Sequence, residues 1–86
     1  MIQIAQKMSR EILIGHLTTS FNKQALNAID ASKFNKEEKK YLNLLNYLYS
    51  QNIEFSAENI FKNGNKEMLL IYMNSLNKYH KSIAWL

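Results

Sequence analysis

The chain has no cysteine, no proline and only two glycines, Gly15 and Gly64, among its 86 residues. Without cysteine no disulfide can staple the fold and no thiolate can hold a structural zinc ion. A chain this short buries only about 60% of the surface it exposes when unfolded, so packing through local contacts has to supply its stability. Strands joined by tight hairpins need more turn formers than two glycines and no proline. No apolar run approaches the roughly 20 residues of a membrane span. Lys7, Arg10 and Glu11 break up the region where a secretory signal would need an unbroken apolar stretch. These absences lead to the expectation of a cytoplasmic, all-α protein with no membrane partner.

Arginine and aspartate are also scarce. The net charge is +4, yet Arg10 is the only arginine and Asp30 the only aspartate. Readers of base edges and phosphates rely on the planar, bidentate fork of arginine. Ten lysines scattered from Lys7 to Lys81 read instead as solvated helix faces, and direct nucleic-acid binding is not expected. The segment "FSAENIFKNGNKEMLLIYM" has the length of a helix-turn-helix, but its second helix opens with two almost wholly aliphatic turns. A helix that enters the major groove offers polar side chains there.

What is present is helical periodicity. A first helix is expected from near Ile4 to about Thr19, with Met8, Ile12 and the Gly15/His16 step on one face and Leu13 and Leu17 beside it. A short second helix covers Lys23 to Ile29, and "DASKF" is a connection anchored by Phe34. Asn35 caps the third helix, "KEEKKYLNLLNYLYSQN", with Glu37 and Glu38 at the positive end of its dipole. Within it Tyr41, Leu44, Leu45 and Leu48 recur at the spacing of a buried stripe, with Leu42 and Tyr49 on a neighbouring face. Ser56 caps "AENIFKN", which Gly64 closes in a C′-type position. Asn65 caps a long last helix carrying Leu69, Tyr72, Met73, Leu76, Tyr79 and Ile83 as one stripe. Its front half, Met68 to Met73, is apolar on every side and is expected to be buried all round.

Catalytic chemistry finds little support. His16 and His80 are the only histidines, and neither has an acid at a spacing that builds a triad or a metal site. Phosphate-cradling glycine motifs are missing. Neither catalytic, cofactor-binding nor metal-ligating residues are expected.

The order of these pieces does resemble one family. "REILIGHL", a short helix, then Phe34 before the helix of "FNKEEKKYLNLLNYLYSQNIEFSAENIF" is similar to the helicase-binding C-terminal domain of DnaG-type bacterial primases. The same helical fold forms the N-terminal domain of DnaB-type replicative helicases. The resemblance runs from about Arg10 to Leu76 and is a pattern of apolar positions with one glycine and one phenylalanine. "ILIGHL" and "IFKNGNKEMLLIYMNSL" tilt it toward the primase side. The zinc module and clustered acids of a complete primase are missing here, as is the P-loop of a complete helicase.

The length leads to the expectation of a single domain over 1–86, and the periodicity to a compact bundle of about five to six helices over about 4–76 with a projecting helix end over about 77–86. The resemblance implies a non-catalytic interaction module of the primosome whose partner is the N-terminal domain of the replicative DNA helicase. In the primase family a C-terminal helical hairpin makes the main helicase contact, and the long last helix here would be the stalk toward it. The partner-binding expectation falls on Tyr79, Ile83, Trp85 and Leu86, rimmed by Lys78 and Lys81, because interface cores favour aromatics over charge. Gly15 and His16 are expected at a close helix crossing, with His16 partly buried and making one hydrogen bond. Two alternatives stand beside this reading: a helicase N-terminal domain, for which self-association is the discriminating property, and an unrelated small helical regulator or nucleic-acid binder.

Overall fold

The computed structural model of the chain describes residues 9–83, and among them every regular element is helical. Five α-helices follow in order: α1 (Arg10–Ser20), α2 (Lys23–Ala28), α3 (Lys36–Ser50), α4 (Ala57–Asn63) and α5 (Lys66–Ile83). A 3-10 turn at Ala31–Lys33 joins α2 to α3. The chain is thus an all-α bundle with a long last helix. The helix starts are set locally. Ser9, Asn22, Asn35, Ser56 and Asn65 each accept a backbone N–H from the first turn that follows them. Such a cap satisfies a donor with no carbonyl partner and contributes about 1 kcal/mol.

The helix expected from near Ile4 is not continuous through Ser9, since α1 begins at Arg10; Ile4 itself lies outside the described residues. Ser9 is extended (φ −72°, ψ 166°), and its Oγ accepts the Ile12 N–H at 3.2 Å. Met8 lies outside the described residues. The buried face of α1 also differs from the expected one: Ile14, Gly15, Leu17 and Thr18 face the core, whereas His16 is exposed.

The third helix is the centre of the bundle. Tyr41, Leu45 and Leu48 have no exposed surface, and Leu42 is buried beside them. Together with Ile14, Leu17, Leu26, Phe34, Phe55, Ile60 and Met68 they form one contiguous apolar cluster. Each such side chain contributes roughly 1.5–3 kcal/mol by leaving water. At the start of α3 a capping box forms: the Glu38 N–H donates to Asn35 Oδ1 at 2.8 Å, and the Asn35 N–H donates to Glu38 Oε1 at 2.9 Å. The same Glu38 oxygen lies 3.4 Å from Arg10 Nε, which ties the start of α1 to the start of α3. At the other end the Ile53 N–H donates to the Leu48 carbonyl (2.8 Å) and the Asn52 N–H to that of Tyr49 (3.0 Å). This is a Schellman closure, and Asn52 takes its left-handed position (φ 59°).

One polar contact runs through the core. The Thr18 hydroxyl donates to the Ile14 carbonyl at 2.7 Å, so its single proton is committed. The buried Tyr41 hydroxyl, 2.9 Å from Thr18 Oγ1, must therefore be the donor in that pair. Burial pushes the Tyr41 phenol well above its usual value, while the Thr18 contact acts in the opposite sense.

Two expectations about the last helix and its approach are corrected. In α5 only Met68 and Ser75 are buried, and Leu70 and Met73 are each 55% exposed. The front half is therefore not surrounded: the helices that contact α5 (α1, α3 and α4) leave an outer face open, as the small volume of such a chain dictates. Gly64 does not close α4 in a left-handed conformation, since its φ is −118°. Its lack of a side chain serves packing instead, because a Cβ there would lie 2.9 Å from Leu44 Cδ2 and 3.0 Å from Met68 Cγ.

Candidate functional site

The most extensive helix contact among the described residues joins α1 to α5. Residues late in α5 meet residues early in α1: Lys81 and Ser82 lie beside Ile12, while Tyr72 and Leu76 lie beside Thr18 and Thr19. The two helices are thus antiparallel. Where they cross, Gly15 is buried, and a Cβ added to it would sit 2.5 Å from Tyr79 Cβ and collide with the Ser75 carbonyl oxygen. Beside the crossing, His16 Nδ1 is 3.4 Å from the Tyr79 hydroxyl at the exposed edge.

The residues singled out in the sequence distribute unevenly over this seam. Tyr79 is half-buried against Gly15 and His16, and its side chain is engaged within the bundle. The Lys78 ammonium is 3.8 Å from a carboxylate oxygen of Glu11, which lies in the first turn of α1. The Glu11 carboxyl is held below its usual range, chiefly by a hydrogen bond to its own backbone N–H, with Lys78 and Arg10 adding in the same direction. Lys81 is exposed and, with Ile12, Lys78 and Ser82, lines a shallow depression. Tyr79 and Ser82 are thus half-buried within the stretch 77–86 that was expected to project, whereas Lys78 is exposed. Ile83 is 42% exposed at the close of the helix. Trp85 and Leu86 lie outside the described residues.

A larger feature lies at the opposite end of α1. Phe21, just past the helix, takes the left-handed conformation (φ 45°, ψ 54°) that usually goes to glycine or asparagine. This turn presents its ring to Tyr49 and Phe55, with centroids 4.8 and 5.0 Å away and tilted and edge-on geometries. Such aromatic pairs contribute about 0.5–1.5 kcal/mol beyond their burial. Phe21 and Phe55 form one side of a cleft of about 500 Å³ whose other side is Tyr72, Leu76 and His80 of α5. Thr18, Thr19, Asn52 and Glu54 complete it. The cleft is open and its floor is apolar. Its lining contains no lysine or arginine.

Sequence reasoning did not find this cleft. Its rings come from residues 21, 55 and 72, on three different stretches of chain, so no periodicity links them. One readable sign existed: a bulky aromatic directly after a helix, where a smaller residue usually closes the turn.

Among the described residues no group of three or more histidines and carboxylates could hold a metal ion, and no helix is long and apolar enough to cross a membrane. No protein-family model, curated protein or solved structure was found to match the chain.

Proposed function

We propose that this chain works by binding another protein and performs no chemistry itself. The observation that carries the proposal is the open, aromatic-walled cleft between the end of α1 and α5, in a bundle that also exposes Leu70 and Met73 on its outer face. Apolar and aromatic groups of this kind form the energetic centre of protein interfaces once a partner excludes water from them. The finer assignment follows from the resemblance of Arg10 to Leu76 to the helicase-binding domain of bacterial primases. On that reading the bundle docks on the N-terminal domain of the replicative DNA helicase and tethers primer synthesis to the fork. No bond is made or broken, and the driving force is burial of apolar surface.

The test is titration calorimetry of the chain with the N-terminal domain of the replicative helicase from the same organism. Saturable binding with one chain per helicase protomer is the expected result. No heat and no retention at concentrations up to about 100 µM, where even a weak specific complex would form, refutes the primosome assignment. Assembly of the chain alone into dimers or rings, read by analytical ultracentrifugation, would move it to the helicase side of the same pair.

A further inference from the structure

We infer that the cleft at the end of α1 binds a peptide segment carrying a large apolar side chain next to a lysine or arginine. The inference rests on the reading of the chain as a protein-binding module, and it assigns both the surface and the chemistry of the ligand.

Charge supports this choice most directly. The chain carries 11 lysines and arginines against 7 acids, so an acidic ligand would be the default partner. The cleft inverts that balance, because its lining includes the acidic Glu54 and no lysine or arginine. The ion pairs among the described residues are Arg10 with Glu38 and Lys78 with Glu11, so Glu54 is not engaged by either. Its backbone is held, since the Glu54 carbonyl accepts from the Ser56 N–H at 3.1 Å and from Asn59 Nδ2 at 3.0 Å. An exposed carboxylate on a fixed backbone beside an apolar floor suits a cation that flanks an anchor side chain. Such a pair governs selectivity more than total affinity.

Phe21 supplies a second, independent argument. Glycine or asparagine would end α1 without steric conflict, yet a phenylalanine that is 37% exposed occupies the left-handed position. Strained backbone of this kind concentrates where a side chain has to be presented. Here the strain places a ring against Tyr49 and Phe55 at the lining of the cleft. The volume, about 500 Å³, is in the range of ligand sites. Its open shape suits a chain segment more than an enclosed small molecule.

The experiment uses the full chain labelled with nitrogen-15 and two acetylated octapeptides with a central Leu-Phe pair, one flanked by lysines and one by glutamates. The lysine peptide should shift the amides of Thr19, Phe21, Glu54 and Phe55 and bind at least about tenfold more tightly than the glutamate peptide. Glu54→Lys, at an exposed site, should reverse that order. Phe21→Gly removes the ring while relieving the backbone, and it should weaken the lysine peptide by a similar factor with the helical circular-dichroism signal retained. If that variant does not fold, Glu54→Lys carries the test. Equal affinity for both peptides, binding of neither, shifts confined to the outer face of α5, or an order unchanged by Glu54→Lys each overturns the inference. The two tests fail separately. Helicase binding without a Glu54-dependent peptide preference removes the cleft ligand alone, and the converse removes the primosome assignment alone.

Discussion

Replacing Gly15 with alanine should destabilise the bundle although it improves α1 as an isolated helix. Alanine is favoured over glycine inside a helix by about 1 kcal/mol. At this position the added methyl would lie 2.5 Å from Tyr79 Cβ and overlap the Ser75 carbonyl oxygen. Neither atom belongs to the flexible end of a side chain, so α5 itself has to retreat. Ordinary carbon contacts begin near 3.5 Å, so the helices must part by roughly 1 Å at their crossing. That opens the most extensive helix contact among the described residues. Overpacking of a close contact costs about 1–3 kcal/mol, and the rigidity of both obstacles places this case at the upper end. The net expectation is a loss of about 1–2 kcal/mol, equivalent to a fall in Tm of roughly 5–12 °C for a domain of this size. Urea unfolding followed by far-ultraviolet circular dichroism measures it. Asn77→Ala, at an exposed position on α5, is the control that gains propensity without a collision, by up to about 0.7 kcal/mol. A Gly15→Ala chain as stable as the parent, or more stable, would refute the close crossing.

Further outcomes concern the buried polar groups and the acid limb. Tyr41→Phe should cost about 1 kcal/mol, because Thr18 keeps its bond to the Ile14 carbonyl, whereas Thr18→Val should cost more, about 1–3 kcal/mol, by stranding the buried Tyr41 donor. Equal losses in urea unfolding would contradict the donor assignment. Glu38→Ala removes the acceptor shared by the Asn35 N–H and Arg10 and should lower stability by about 1–2 kcal/mol, with Arg10→Ala, half-exposed, costing less. The Glu11 carboxyl is held below its ordinary 4.5 by its own backbone N–H. That of Asp30 is held below 3.8 by the Ser32 hydroxyl and N–H. Both are lower in the folded state, so their stabilisation is complete above the ordinary values and is lost as pH falls through the lowered ones. The urea midpoint should therefore drop only below about pH 4.5; a drop that begins near pH 6 would point to another group.

The local features were legible along the chain. Asn35, Ser56 and Asn65 cap the helices they were expected to cap, and α4 spans the expected residues, because a cap depends on side chains within three positions of one another. The stripe of Tyr41, Leu45 and Leu48 is buried because helical spacing alone puts those residues on one side. Apolar spacing continues through Ser9, but the cap at Ser9 interrupts the helix there. Predicting the surroundings of α5 failed for a related reason. Met68 to Met73 are apolar all round, and hydrophobicity cannot say how many neighbours a helix will find.

Composition and periodicity already pointed to helices packed around α3, since proline and cysteine are missing, glycine is scarce and the apolar residues of each long segment recur at helical spacing. Which faces would be left uncovered was decided only when the helices met. The antiparallel closure of α5 on Gly15 engaged Tyr79 within the bundle and exposed Leu70 and Met73. The left-handed turn at Phe21 packed its ring on Tyr49 and Phe55 and set Phe21 and Phe55 opposite α5 in a cleft. Contacts between residues far apart in the chain leave no periodic trace, and the candidate site is made of such contacts.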